Sequence, residues 1–519
     1  METIVKYPLG QQNFKNLRTG DYLYVDKTRF IEIILKSGAQ YLFLARPRRF
    51  GKSLFLSTLE YFFKGDRELF KGLYIDSVDW DWTPFPVLRL DLNRERYAEP
   101  GILDSVINNI FNTWDEQYGI NTKGSDLSSR FGNIIRLLHE KTGRQVVILV
   151  DEYDKPLVGN LNKSENFEHY RARLASLYSN FKSSAEHIRL VFLTGVSRFS
   201  KLSVFSDLNN IVDTTFDNRF ADICGITSDE LLNNFQEGIE KLSEKEKILF
   251  PQAIDLLKSH YDGYRFTEEG SDIYNPWSLL NAMDRSKIEY FWNDTGMPTI
   301  VAESLKRINA DLEEAFDTYC SQDELKGLDL LNPDPTALLY QTGYLTIKDY
   351  DRLSGEYHLG IPNKEVKRGL FRELVPFYVK SKPLTGNKLT DEIARYFLHG
   401  NPEKAMRSMQ AYFAGIDYAL RIENENNFHN AFYLLMDLIG LKTKAESHTS
   451  HGRIDIEVQT NDFIYIIELK YDHSAEEALK QIEEKDYVGK FRTDIRKLFK
   501  IGVAFSSRTR NIENWIISC

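Results

Sequence analysis

The strongest constraint on the fold of this chain is a short polar loop between an apolar strand and an amphipathic helix. Residues 41–45, YLFLA, predict a buried strand, and the sequence RPRRFGKSLFLS follows it. In that sequence Gly51, Lys52 and Ser53 match the end of the phosphate-loop pattern G-x-x-x-x-G-K-[ST]. The first glycine of the pattern would fall at position 46, which is arginine. The sequence therefore predicts either a nucleotide site with an altered loop or a chance occurrence of three residues.

A second element of a nucleotide site follows about 100 residues later. Residues 146–150, VVILV, predict a buried strand that ends on Asp151 and Glu152. An acid at this position holds Mg²⁺, and the next one can polarise the attacking water. The alternative is that both carboxylates cap a helix or face solvent. Because the two elements occur in the expected order, we favour a nucleotide site in which Lys52 reaches the terminal phosphates and Ser53 and Asp151 hold Mg²⁺.

A third strand, IRLVFLTG at 188–195, places Thr194 at its carboxyl end. Ligands of open α/β sheets bind at that edge, so Thr194 either contacts the terminal phosphate or simply caps the chain. Among the loop arginines we expect at least one to contact phosphate, the alternative being acidic neighbours. The predicted nucleotide-binding residues are Arg46, Pro47, Arg48, Arg49, Phe50, Gly51, Lys52, Ser53, Asp151 and Thr194.

Strands alternate with helices along the first 224 residues, which predicts an α/β fold with a parallel sheet and helices on both faces. From about residue 225 the pattern is mainly helical. A hairpin around 345–360, with a helix on each side, predicts a small winged-helix-like unit. We therefore predict three domains, at residues 1–224, 225–400 and 401–519.

The last domain carries three charged residues on a predicted hairpin of apolar strands. Asp455 lies on RIDIEVQ, and Glu468 and Lys470 lie on FIYIIELKY. Residues two apart on a strand share a face, and Asp455 can reach it across the turn. Mg²⁺ between the two carboxylates would polarise a phosphodiester and activate water, while Lys470 would stabilise developing negative charge. An ordinary cross-strand ion pair explains the same spacing, so both readings stay open.

Composition sets limits on partners and compartment. The net charge is −10, so any nucleic-acid-binding surface must be a local basic patch. The three cysteines, Cys224, Cys320 and Cys519, are widely spaced and support neither a disulfide framework nor a zinc ribbon. No signal-peptide layout and no apolar run of roughly 18 residues is present, which predicts a cytoplasmic protein without a membrane partner.

Four ordered blocks resemble the AAA-ATPase-like family of bacterial proteins. They are YVDKTRFIEIIL, FLARPRRFGKSLFLSTL, VVILVDEYDKPL and LTGVSRFSK, within residues 4–220. That family often has arginine where the first loop glycine is expected. The resemblance implies an additional-strand P-loop fold that uses ATP and Mg²⁺, with Lys52, Ser53, Asp151 and Glu152 in the roles given above. In a homo-oligomer Arg219 would be a candidate trans-acting arginine, although a surface ion pair is its simpler explanation.

Residues 400–519 resemble the PD-(D/E)XK nuclease superfamily, in the version commonly fused to this type of ATPase. The matching segments are ENNFHNAFYLLMDLIGL and GRIDIEVQTNDFIYIIELKYDHSAEEALKQIEEKDY. Ile454 stands where the name of the superfamily has proline. The resemblance implies nucleic acid as substrate, Mg²⁺ as cofactor, and a site made of Glu425, Asp455, Glu468 and Lys470, with Gln481 and Tyr487 on the following helix.

Three functions are compatible with these features. The first is an ATPase that gates a Mg²⁺-dependent nuclease, with catalytic residues Glu152, Asp455, Glu468 and Lys470 and metal ligands Ser53, Asp151, Glu425, Asp455 and Glu468. The second is a nucleotide-gated switch or assembly protein in which the nuclease fold only binds or is structural. A third is an ATPase that regulates protein partners through the helical middle region.

Overall fold

The computed structural model describes most of the chain, in two compact units. The described residues are 5–93, 95–124, 126–158, 160, 164–198, 210–292, 301, 304–305, 308, 310–327, 334–378, 388–414, 425–439, 441–449 and 452–519. The first unit comprises Met1–Trp292 and Thr318–Glu365, and the second comprises Asn293–Asp317 and Val366–Cys519. The chain therefore passes between the units three times. The division into three domains stays a prediction.

A parallel sheet of five strands forms the centre of the first unit. Its strands are β1 (Tyr41–Ala45), β2 (Val87–Asp91), β3 (Val146–Asp151), β4 (Ile188–Gly195) and β5 (Val212–Asp213), in the order β2-β3-β4-β1-β5. Every residue of β1 and β3 is buried, as expected for continuous apolar strands that are covered on both faces. The predicted α/β fold is confirmed, and β4 lies between β1 and β3, which is the additional-strand arrangement.

Among the described residues, seven α-helices belong to this N-terminal part of the first unit. They are α1 (Phe14–Thr19), α2 (Arg29–Ser37), α3 (Lys52–Phe63), α4 (Ile102–Tyr118), α5 (Leu127–Thr142), α6 (Lys155–Val158) and α7 (Ser164–Ser183). In α3 the apolar residues Phe55, Leu56, Leu59 and Phe62 are all buried, so this helix packs by an apolar face. No helix in the described parts of the chain is both long and apolar enough to cross a membrane.

The rest of the first unit is mainly helical and contains the predicted hairpin. Its elements are β6 (Ile226–Thr227), α8 (Ser228–Asn234), α9 (Gln236–Glu246), α10 (Phe250–Tyr261), β7 (Ile273–Tyr274), α11 (Pro276–Arg285), β8 (Asp317–Ser321), α13 (Gln322–Lys326), α14 (Pro335–Thr342), β9 (Thr346–Asp351) and β10 (Glu356–Gly360). A core that includes Phe235, Leu257 and Leu279 holds the helices together. Strand β8 joins the hairpin as a third strand, in the order β8-β10-β9.

The second unit packs helices around a five-stranded mixed sheet. Its helices are α12 (Leu312–Phe316), α15 (Lys364–Tyr378, beginning at the end of the first unit), α16 (Lys388–Leu398), α17 (Pro402–Ala414), α18 (Glu425–Leu438) and α19 (Ala475–Glu484). Its strands, in sheet order, are β11 (Lys442–Thr449), β12 (Gly452–Gln459), β13 (Phe463–Tyr471), β14 (Lys497–Ser506) and β15 (Asn511–Ser518).

Strand pairing in this sheet confirms the predicted hairpin of β12 and β13, which pair antiparallel. Strands β13 and β14 run parallel and are connected through α19, whose Ile482 packs on Ile464 and Ile466. The outer strands β11 and β15 were not predicted. The sequence of β11, KTKAESHT, contains one apolar residue, because an edge strand needs little apolar surface and gains its order from pairing with β12.

Candidate functional site

The polar loop lies at the carboxyl edge of the parallel sheet. It leaves β1 after Ala45 and enters α3 at Lys52. Gly51 stands before the helix with φ 98°, a left-handed conformation that favours glycine. Glycine is therefore required at this position to turn the chain into a helix whose first N–H groups face the loop.

Lys52 is buried and folds back on the loop. Its Nζ donates to the carbonyl oxygens of Arg46 at 2.9 Å and Pro47 at 3.0 Å. Burial lowers the pKa of Lys52, and the carboxylates of Glu152, Asp154 and Asp151 oppose that shift. The ammonium group thus stands where anionic oxygens can replace the two carbonyls.

Arg46, the residue in place of the first loop glycine, is only 1% exposed and is held by protein groups. Its Nη1 donates to the carbonyls of Ala45 (2.9 Å) and Thr215 (3.0 Å), and its Nη2 donates to the carbonyl of Phe220 (3.0 Å). The guanidinium also lies 4.3 Å from the centre of the Phe266 ring. These contacts give Arg46 a structural role: it ties the end of β1 to residues far along the chain.

The other loop residues are anchored to the helical part of the same unit. Arg49 lies 4.2 Å from the centre of the Trp277 ring. The ring of Phe50 is buried, 4.7 Å from that of Tyr264. Pro47 packs so closely on Gly343 that a Cβ there would come within 2.7 Å of the proline. Arg48, in contrast, is half-buried and makes no hydrogen bond to any residue that the structure describes, so it is the loop arginine best placed to meet an added ligand.

Asp151 ends β3 beside the loop and is held by two side chains. Thr194 Oγ1 donates to Asp151 Oδ1 at 3.1 Å, and Arg89 Nη2 donates to Asp151 Oδ2 at 3.2 Å. The same Arg89 nitrogen donates to the carbonyl of Ser53 at 3.3 Å. Arg89 therefore links the Ser53 carbonyl to Asp151, which also contacts Thr194. Arg89 was not singled out, although a charged residue inside the apolar strand PVLRLDL is a signal that could have identified it.

Glu152 follows in a left-handed conformation, with φ 50°. Such strain in a residue other than glycine is found preferentially at functional sites. Burial raises the pKa of Glu152, and the charge of Lys52 opposes the rise. Asp154, a further carboxylate that the sequence did not single out, accepts the N–H groups of Val196 (3.1 Å) and Ser197 (2.7 Å) and so fixes the chain after β4.

An apolar cavity of about 90 Å³ opens beside the start of α3. Its wall includes Gly51 and Leu54 on one side and Val25, Ile226 and Pro276 on the other. Its lining is mainly apolar, which is typical of small-molecule pockets next to a polar anchor.

Arg219 lies on the surface of this unit, in a bidentate ion pair with Asp217. Its Nε lies 3.0 Å from Oδ1 of the aspartate and its Nη2 lies 2.5 Å from Oδ2. This pairing matches the simpler of the two explanations given above, although the role in a homo-oligomer stays a prediction.

In the second unit the structure brings the predicted hairpin residues together. Asp455 on β12 accepts the N–H of Leu469 at 2.7 Å. Glu468 on β13 is 1% exposed and is bound by Lys470 Nζ at 3.1 Å and by Gln481 Nε2. Gln481 also contacts the Tyr487 hydroxyl at 3.3 Å, so the residues carried over from the resemblance belong to one network.

The carboxylates of this network are costly to ionise without a partner. Burial raises the pKa of Asp455, against the charges of His429 and Lys470. Burial and the neighbouring Asp455 raise the pKa of Glu468 to about 7. The Oε2 atom of Glu468 is buried and has no hydrogen-bond partner among the described residues.

A divalent cation suits these residues, because it would balance the charges of Asp455 and Glu468 and bind the Glu468 oxygen that has no hydrogen-bond partner among the described residues. Glu425, in contrast, is exposed in the first turn of α18. Within the described parts of the chain, no three His, Cys, Asp or Glu side chains are gathered closely enough to hold a metal ion. Asp455 and Glu468 would therefore be the first ligands of a cation, and Glu425 would have to reach in.

The fold and the two sites define a protein with a P-loop ATPase-like domain and a C-terminal nuclease-like domain. Residues 8–205 match the AAA-ATPase-like family, described as "Predicted AAA-ATPase", and residues 423–515 match the PD-(D/E)XK nuclease superfamily. A protein of Azotobacter chroococcum mcd 1, described as "Uncharacterized protein in vnfD 5'region", is 34% identical over 523 residues, which cover 99% of this chain and 98% of that protein. The chain belongs to the AAA-ATPase-like family with a C-terminal PD-(D/E)XK domain, as the sequence predicts.

Proposed function

We propose that the first unit binds and hydrolyses ATP and that the second unit cleaves nucleic acid with a divalent metal, under the control of the ATPase. Membership of the two families supports both parts. The single observation that carries the nuclease assignment is the arrangement of half-buried Asp455 and buried Glu468 on the two strands of the hairpin, with Lys470 beside Glu468.

For ATP we propose that the phosphates lie on the N-terminus of α3. Lys52 would exchange its two carbonyl contacts for phosphate oxygens, and Ser53 and Asp151 would hold Mg²⁺. Glu152 would accept a proton from the attacking water, a role to which a raised carboxyl pKa is suited. The base would lie toward the apolar cavity beside Gly51, whose lining is mainly apolar.

For nucleic acid we propose that Asp455 and Glu468 hold a divalent cation, Mg²⁺ in the simplest case. When bound, such a cation polarises a phosphodiester and activates water. Lys470 would stabilise the negative charge that develops on the phosphate. Gln481 would fix the orientation of Glu468 through the hydrogen bond that it already donates.

A cleavage assay tests this proposal. The full chain is incubated with single- and double-stranded DNA and RNA, with Mg²⁺ or Mn²⁺, in the presence and absence of ATP. We expect cleavage that is lost in Asp455→Asn and Glu468→Gln and kept in Asp462→Asn, a matched change in the exposed turn of the same hairpin. Cleavage that persists in the first two variants would refute the assignment. An ATP-dependent change in particle size without any cleavage would favour the nucleotide-gated assembly role.

A further inference from the structure

Arg49 of the phosphate loop contacts the place at which the chain first leaves the first unit. The first of the two segments of that unit ends at Trp292. Arg49 Nη1 donates to the carbonyl of Phe291, the preceding residue, at 3.4 Å. The indole Nε1 of Trp277, whose ring the Arg49 guanidinium covers at 4.2 Å, donates to the same carbonyl at 3.3 Å. The loop is therefore bonded directly to the residue before this crossing.

Glu365 binds the same segment from the place at which the chain leaves the first unit for the last time. It is the final residue of that unit and is 1% exposed. Its Oε1 accepts the N–H groups of Phe291 at 2.5 Å and Trp292 at 2.9 Å, and these two bonds form the Glu365 clamp. The clamp thus ties together two of the three crossings between the units.

The charge of Arg49 acts on this clamp. Burial raises the pKa of Glu365 to about 7, and the positive charge of Arg49 is among the effects that oppose the rise. Arg49 therefore favours the ionised carboxylate, which is the stronger acceptor for the two N–H groups.

The conformation of Arg49 shows that its present contacts are not its best ones. Its backbone is left-handed, with φ 66°, and strain of this kind in a residue other than glycine is found preferentially at functional sites and switch regions. Its bond to the Phe291 carbonyl, at 3.4 Å, is longer than the usual range of about 2.7–3.2 Å. Phosphate oxygens offer a guanidinium shorter and stronger bonds. A phosphate group on the loop would therefore compete with Phe291 for Arg49.

We infer that Arg49 is a positioning residue that couples nucleotide binding at the phosphate loop to the Glu365 clamp. When a nucleoside triphosphate binds, Arg49 turns from the Phe291 carbonyl to phosphate oxygens, and the clamp on residues 291–292 loosens. The inference rests on the ATP site proposed above, and it places the first step of control over the second unit at the crossings of the chain.

Hydrogen exchange of the Phe291 and Trp292 amides in the full chain tests the inference. The exchange rates are measured without nucleotide and with saturating Mg²⁺ and the β,γ-imido analogue of ATP, whose affinity is measured in parallel. The variants are Arg49→Gln, Glu365→Gln and, as a matched control, Arg285→Gln. Arg285 lies on α11, outside the loop, and its guanidinium is 5.2 Å from the centre of the Phe291 ring.

We expect the analogue to accelerate exchange of the two amides about 5-fold or more in the wild type and in Arg285→Gln, and to have no effect on it in Arg49→Gln. A purely structural role of Arg49 would change exchange equally with and without the analogue. Because coupling between two sites is reciprocal, Glu365→Gln, which weakens the clamp, should bind the analogue about 5-fold more tightly.

The wild-type measurement decides the question even if Arg49→Gln folds poorly. An analogue that binds but leaves exchange at residues 291–292 unchanged, or slows it, would overturn the inference and leave the ATP site standing. Failure of the wild type to bind the analogue would overturn both.

Discussion

Replacing Arg46 with glycine would restore the standard phosphate-loop pattern, yet we expect it to destabilise the first unit. The substitution removes three hydrogen bonds, to the carbonyls of Ala45, Thr215 and Phe220, and the contact with the Phe266 ring. It also leaves a gap where a large side chain is almost completely buried.

The magnitude follows from these contacts. Each buried carbonyl that loses a charged donor costs about 1–2 kcal/mol, and the ring contact contributes about 1 kcal/mol. Removal of a buried guanidinium returns part of this energy, because burial lowers the pKa of Arg46 and so disfavours its charge. We therefore expect a net loss of about 3–5 kcal/mol. For a unit of this size that loss lowers the unfolding midpoint by about 4–7 °C.

Thermal unfolding of the full chain measures this effect, with Arg48→Gly as the matched control. Arg48 belongs to the same loop and is half-buried, so its removal should lower the midpoint by about 1 °C or less. Binding of a fluorescent ATP analogue, measured in parallel, should weaken in Arg46→Gly, since the loop loses its anchor. An Arg46→Gly protein that has the same unfolding midpoint as the wild type and binds the ATP analogue more tightly would refute the reasoning.

Three further predictions follow from buried carboxylates. Burial raises the pKa of Asp262 from 3.8 to about 6, so about 3 kcal/mol of the free energy of unfolding that is present below pH 4 is lost as the pH rises through 6. Asp262→Asn should make the unfolding midpoint less dependent on pH over this range, and an unchanged pH dependence would contradict the prediction. Glu468→Gln should unfold at a higher temperature than the wild type at pH 8 while losing cleavage, because it removes a charge that burial and Asp455 disfavour. A lower unfolding midpoint would contradict the idea that the Glu468 charge destabilises the folded protein. Glu152→Gln should bind ATP and hydrolyse it about 10²–10⁴-fold more slowly, and hydrolysis at the wild-type rate would exclude Glu152 as the base.

The sequence predicts the parts of this structure that depend on local patterns. Short, continuous apolar runs such as YLFLA and VVILV, rich in aromatic or β-branched residues, are typical of buried strands. In the parallel sheet they place Lys52 and Asp151 at the same edge. The hairpin that carries Asp455 and Glu468 is predicted for the same reason: its apolar strands flank a short turn.

What the sequence could not show depends on contacts between distant segments. Arg46 bonds to Thr215, 169 residues later, so nothing near the loop indicates that its side chain is used internally. The segment that contains Leu312 lies in the predicted middle domain, yet Asn430 binds its N–H within the second unit. Edge strand β11 was missed because its sequence is polar and has no strand periodicity, so that its conformation depends on pairing with β12.

The first unit is formed by two separate segments of the chain, which limits where this protein can be truncated. The family match to the ATPase ends at residue 205, but Gly343, which packs on Pro47, lies almost 140 residues further along the chain. A fragment that stops at the family boundary would leave Pro47 and Phe50 without their partners and expose apolar surface in a nascent or truncated chain. The shortest fragment that we expect to keep the conformation of the loop ends at Glu365. This fragment includes residues 293–317, which belong to the second unit and would lack the rest of that unit.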